Sequence, residues 1–181
     1  MTQDLPLEGP HWSFALRLYS RAGVSEACLT LQDQLGVDVN VLLFALFAAV
    51  SRGVPLDNGD IADMDLTVAA WRSGIVEPLR SLRHLMKNGP EPAPSGVTER
   101  LRQQIKQAEL SAEQIEQAVL FRWLDQRCGN QLALKVDSAA VIESVVRYFG
   151  KRNGEAEAVV SSQAQHAIRT IARAATSMRV F

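Results

Sequence analysis

The chain has 181 residues, 47% of them apolar and 22% charged, with 19 basic and 20 acidic side chains for a net charge of -1. That length and composition exclude wholesale disorder and suit one domain or two small ones. The balanced charge argues against a general nucleic-acid or membrane-surface binder.

The polar, acidic opening Met1–Pro6 carries no basic region followed by an apolar run, so no secretory leader is expected. The longest uncharged stretch, Val39–Ser51, is too short for a membrane span, which needs about 20 residues. A cytoplasmic location is the default expectation. Pro10 suits the first turn of a helix, and Trp12, Ala15, Leu16 and Tyr19 fall on one side of it. Gly23 breaks that helix. Val24, Cys28, Leu31 and Leu35 then recur at spacings of 4, 3 and 4, the face of a second helix that Gly36 ends in a left-handed cap.

Val39–Val50 is apolar nearly all round, which predicts a third helix buried on most sides, with Asp38 as its N-cap. Gly53-Val54-Pro55 closes it. After the turn residues Asp57-Asn58-Gly59-Asp60, the pair Asp60 and Asp63 is spaced like a capping box. A helix to about Lys87 follows, with Trp71, Ile75, Leu79, Leu82 and Met86 as its apolar row, and Pro78 kinking it or marking a boundary near Glu77. Asn88–Gly96, with three prolines and two glycines, reads as a linker of extended polyproline geometry.

Ser95 or Thr98 then caps a long helix to about Arg127, where Leu101, Ile105, Ala108, Ala112, Ile115 and Val119 form a heptad seam and Gly129 ends the helix. Leu132, Leu134 and Val136 alternate like a short extended piece, though a lone strand would have no partner. Asp137 or Ser138 caps a helix with Val141, Ile142, Val145, Val146 and Phe149 inward, stopped by Gly150. A last helix runs from Glu155 to about Met178 with a seam of Val160, Ala164, Ala167, Ile171, Ala174 and Met178. It is expected to pair with the alanine-containing seam of the 98–127 helix.

The sum is an all-α fold, a compact bundle of about seven helices with a Pro-rich linker between the first four and the rest. Its expected organisation is an N-terminal helical part (1–87), the linker (88–97) and a C-terminal part (98–181), packed as one body.

The strings Trp12-Ser13-Phe14-Ala15-Leu16-Arg17-Leu18-Tyr19, Gly36-Val37-Asp38-Val39-Asn40, Trp71-Arg72 and Pro78-Leu79-Arg80-Ser81-Leu82-Arg83 resemble a family of short, uncharacterised proteobacterial proteins classed as a domain of unknown function. Ala108-Glu109-Leu110 and Ile115-Glu116-Gln117 extend the resemblance, which covers roughly residues 10–125. It implies no activity, and residues 128–181 lie beyond it.

Candidate sites are few. Asp33, Asp38 and Asn40 surround a tight turn and suit a small ligand or a partner's backbone, although helix capping accounts for the same residue types. Arg72, Arg80, Arg83 and Lys87, beside Trp71, fall on one side of the fourth helix and suit an anion, nucleic acid or an acidic partner; a solvated face near a helix C-terminus explains them as well. The acids Asp57, Asp60, Asp63 and Asp65 fail the spacing of a calcium loop, since Gly59 and Ala62 stand at its third and sixth positions. Cys28 sits in an apolar row, and His11, His84 and His166 make no metal-binding pair. No catalytic residue, metal or cofactor is expected. The leading expectation is therefore a non-enzymatic interaction or regulatory protein, with a protein partner or self-association through an exposed helix seam and no membrane. The alternatives are anion or nucleic-acid binding on the basic face, and an enzyme or ligand binder with a pocket near Asp33, Asp38 and Asn40.

Overall fold

The computed structural model describes residues 5–127, 136–153 and 161–178. The described residues form seven helices and no strand. They are α1 (Pro10–Tyr19), α2 (Val24–Leu35) and α3 (Val39–Ser51), then α4, which runs unbroken through Asn58–Trp71, a π-helical turn Arg72–Val76 and Glu77–Asn88. After these come α5 (Gly96–Arg127), α6 (Ser138–Arg152) and α7 (Ser162–Thr176). The expected pieces at Cys128, Gly129 and Leu132–Lys135, and the start of the last helix from Glu155 through Val160, lie outside the described residues.

α3 is the axle of the bundle, because a helix with no polar face has to be enclosed. It touches every other helix, and Asn40 through Ala49 are all buried. Asp38 caps it, its carboxylate accepting from Val41 N–H at 2.8 Å. Full burial of side chains such as Leu42, Phe44, Leu46 and Phe47 is worth about 1.5–3 kcal/mol each. Rings of Phe14, Phe44, Phe47 and Phe121 meet at centroid distances of 5.6–6.0 Å. One continuous core runs from Trp12 to Met178.

Gly36 caps α2 with φ +63°, as its position after Leu35 predicts. The capping box of α4 lies three residues earlier than the spacing of Asp60 and Asp63 suggests. Asp57 is the N-cap, its side chain accepting from Asp60 N–H while the Asp60 side chain accepts from Asp57 N–H, both at 2.9 Å. Ser95 and Thr98 make the reciprocal pair at the start of α5.

Three expected apolar rows are corrected. In α1 the buried face is His11, Trp12, Phe14, Ala15 and Leu18, whereas Leu16 and Tyr19 stay exposed. In α4 the π turn adds a residue to one turn, with Glu77 N–H donating to Arg72 O. The helix thereby meets Pro78, which has no N–H to give. Arg72 and Val76 continue the inward face of Ile61, Met64, Asp65 and Val68 into this turn, while Ile75 and Leu82 face outward. In α5 the buried stripe is Glu109, Ala112, Glu116, Gln117, Ala118, Leu120 and Leu124, while Leu101 is exposed. α7 buries Ala164, Ala167, Ile168, Ile171 and Ala175. It packs chiefly on α2 and then α6 rather than on the long helix, since α2 offers the small Ala27 and Cys28 there and the middle of α5 offers carboxylates.

The proline segment turns instead of extending, with Ala93 N–H donating to Pro90 O at 2.9 Å. It reverses the chain so that the last segment of α4 packs along the first half of α5. α6 has the predicted inward residues and an Asp137 cap, but continues past Gly150 to Arg152.

Candidate binding site

Arg72, four residues after the buried Val68 on the inward face of α4, donates from Nη1 to Asp38 Oδ2 at 2.8 Å and from Nη2 to Asp65 Oδ1 at 2.5 Å. Asp65 is 1% exposed; its other oxygen accepts from Tyr148 Oη at 2.8 Å and from Arg152. Burial works against the Arg72 charge, yet Asp38 and Asp65 hold its pKa above the usual guanidinium value. One arginine thus ties the start of α3 to α4, and through Asp65 to α6. Both of its terminal nitrogens are spent on internal carboxylates, which makes it a clamp.

A second group sits between α3 and α5. Asn40, buried, donates from Nδ2 to Glu116 Oε2 at 3.1 Å, and Gln117 Nε2 donates to Asn40 O at 2.8 Å. Glu116 is fully buried and its Oε1 has no protein partner. Burial, reinforced by the charge of Asp38, pushes its carboxyl up to about 9, so it is protonated at neutral pH.

The third group opens to solvent. A cleft of about 310 Å³ lies between α1–α3 on one side and the last segment of α4 with α5 on the other. The first side offers Trp12, Leu16, Tyr19, Leu29 and Leu43. The second offers Arg80, Arg83, His84, Lys106 and Leu110, with Glu109 and Glu113. Arg80 donates to Glu109 at 3.0 Å, to Glu113 at 2.6 Å and to Gln32 at 3.4 Å. Arg83 donates to both oxygens of Glu109. Burial opposes ionisation of Glu109, but hydrogen bonds from Arg83 and Arg80 outweigh it and hold the carboxyl below its ordinary value. Burial, with the charges of Arg83 and Lys87 beside it, lowers the His84 pKa below its ordinary value.

The sequence-predicted residues therefore separate. Asp38 and Arg72 meet in the clamp, Asn40 borders the cleft, and Arg80 and Arg83 line it. Trp71 Nε1 donates to Ala112 O at 2.9 Å and pins α4 to α5. Asp33 and Lys87 are exposed and border neither clamp nor cleft. The acidic partners Glu109, Glu113 and Glu116 escaped the sequence reading, although their spacings of 4 and 3 put them on one helix face, the signal that would have found them.

Chemically the arrangement braces the helices against one another and leaves a charged, open cleft. Cys28 is buried with its thiol pushed up by burial to about 12, and His11 is fully buried with neither ring nitrogen partnered. Among the described residues no three His, Cys, Asp or Glu side chains converge as a metal site, and no helix is long and apolar enough to cross a membrane.

Neither curated proteins nor solved structures include a match to the chain. The family model described as a protein of unknown function, DUF2390, matches residues 10–120. That span takes in α1–α4 and most of α5, with Asp38, Asp65 and Arg72 of the clamp and every lining residue of the cleft; over more than half its length, the chain belongs to the DUF2390 family.

Proposed function

We propose that the chain is a non-enzymatic interaction protein whose docking element is the two-helix arm made by Glu77–Asn88 and the first half of α5. In this reading the arm pairs with the arm of a second copy and completes a four-helix bundle. The observation that carries it is burial. No residue of Glu77–Asn88 is buried, and the arm exposes Leu82 (45%), Leu85 (55%), Val97 (70%) and Leu101 (50%). Two antiparallel helices alone enclose little apolar surface, and a two-fold partner supplies the missing half. The Arg80 and Arg83 ion pairs with Glu109 and Glu113 brace the arm at its root, leaving those leucines for a partner.

Sedimentation velocity on the full chain tests this. A concentration-dependent dimer is expected, and Leu85→Glu with Leu101→Glu should leave a monomer of unchanged helicity. A wild-type monomer at ~100 µM, well above the range of a specific complex, overturns it. Nucleic-acid binding is the weaker reading, because Arg72, Arg80 and Arg83 already hold carboxylates. Absence of a gel shift at low salt would remove it.

A further inference from the structure

We propose that the cleft between α1–α3 and the root of the arm is a binding site for a small amphipathic organic anion, one negative headgroup on an apolar body. Its two sides have opposite character. Leu16, Tyr19 and Leu29 are exposed into open space of about 310 Å³, which is the size of a small-molecule pocket rather than of a helix-binding groove. Facing them, the polar side is not electrically closed. Three permanent cations, Arg80, Arg83 and Lys106, stand against two carboxylates, Glu109 and Glu113.

The pairing pattern shows where the excess lies. Arg80 spends all three nitrogens on Glu109, Glu113 and Gln32. Arg83 spends Nε and Nη2 on Glu109, leaving Nη1. Lys106 and the His84 ring make no hydrogen bond or ion pair with the described residues. Three donors at the arm's root thus point to one uncompensated anion, while Glu109 and Glu113 fix the arginine that cannot move. A headgroup held by Lys106 and Arg83 places its apolar body against Leu110 and the α1 side chains, where burial adds affinity in proportion to area. A neutral ligand leaves the donors unanswered, and a cationic one meets Lys106.

This site is independent of arm pairing, which uses Leu82, Leu85, Val97 and Leu101. The test is calorimetric titration of the full chain with sodium decanoate, decanol and decylammonium below their aggregation thresholds. Decanoate should bind saturably at one site, about tenfold tighter than decanol, the scale of one charge-assisted contact. Lys106→Ala should abolish that tenfold preference and leave decanol binding within about twofold, which a loss of fold would not do. Leu16→Asp, at an exposed position, should weaken both ligands with helicity unchanged. No saturable decanoate binding up to ~1 mM, a weak limit for a specific site, overturns the proposal. Equal affinity for decanoate and decanol does the same, as does a preference that survives Lys106→Ala.

Discussion

Arg72 shows how much one side chain can organise when burial removes competing water. Its guanidinium answers two carboxylates, on Asp38 and Asp65, and those carboxylates belong to different helices. Removing it leaves two inward-facing acids short of their strongest partner, and a buried charge without a counter-charge costs several kcal/mol. Arg72→Met should therefore lower unfolding free energy by about 3–5 kcal/mol in urea titrations. Arg72→Lys should recover only part of the loss, because an ammonium cannot present the planar fork that spans both acids. An Arg72→Met chain as stable as wild type would show that Tyr148 and Arg152 satisfy Asp65 without it. That the residue would be buried was not legible in sequence. Arginine in a row with Arg80, Arg83 and Lys87 reads as a solvated face, although Arg72 stands four residues after the buried Val68.

At the level of the element, the ends of helices were legible and their buried faces less so. Gly36, Asp38 and Asp137 act through their own backbone neighbours, so sequence position suffices to place them. Gly36 has a sharper role than a stop. A Cβ there would fall 1.9 Å from Asn153 Nδ2, the atom that donates to Leu35 O at 3.2 Å. Gly36→Ala should thus combine left-handed backbone strain with loss of the contact between the end of α2 and the end of α6, costing about 1–3 kcal/mol by denaturant unfolding. Asp57→Ala, which opens the capping box of α4, should cost about 1 kcal/mol. If Gly36→Ala proved as mild as Asp57→Ala, Asn153 would be free to swing aside. The buried faces of α4 and α5 misled because their inward positions are polar. A rule that equates inward with apolar selects Leu101, Ile105 and Ala108, whereas Glu109, Glu113 and Glu116 lie inward to meet Arg80, Arg83 and Asn40.

Over the whole molecule, two buried titratable groups set opposing pH dependences. His11, stacked on Phe121 at 4.5 Å, is held down to about 4 by burial, with Asp125 opposing weakly. Its unfolded value is about 6.5, so the unfolded chain binds the proton first, and this contribution to stability is lost as pH falls from 6.5 towards 4. Glu116 has the opposite sign. Its carboxyl is raised from an unfolded value of about 4.5 to about 9, so its contribution is complete below 4.5 and is lost as pH rises to 9. Between 4.5 and 6.5 the two nearly cancel, and above 6.5 only the Glu116 decline remains. Chemical denaturation across that range should show a plateau followed by a fall of up to ~1.4 kcal/mol per pH unit, the slope of one proton. Glu116→Gln, which keeps the shape of the protonated acid and cannot ionise, should flatten the fall above pH 6.5. His11→Phe, which keeps the ring stack without a titrating nitrogen, should let the fall begin near pH 4.5. A decline of equal steepness in Glu116→Gln would assign it to another group and leave the Asn40–Glu116 contact indifferent to pH. The region between α3 and α5 favours the neutral acid, since an ionised Glu116 would place a second negative charge near Asp38 and draw on the same Arg72 that already serves Asp65.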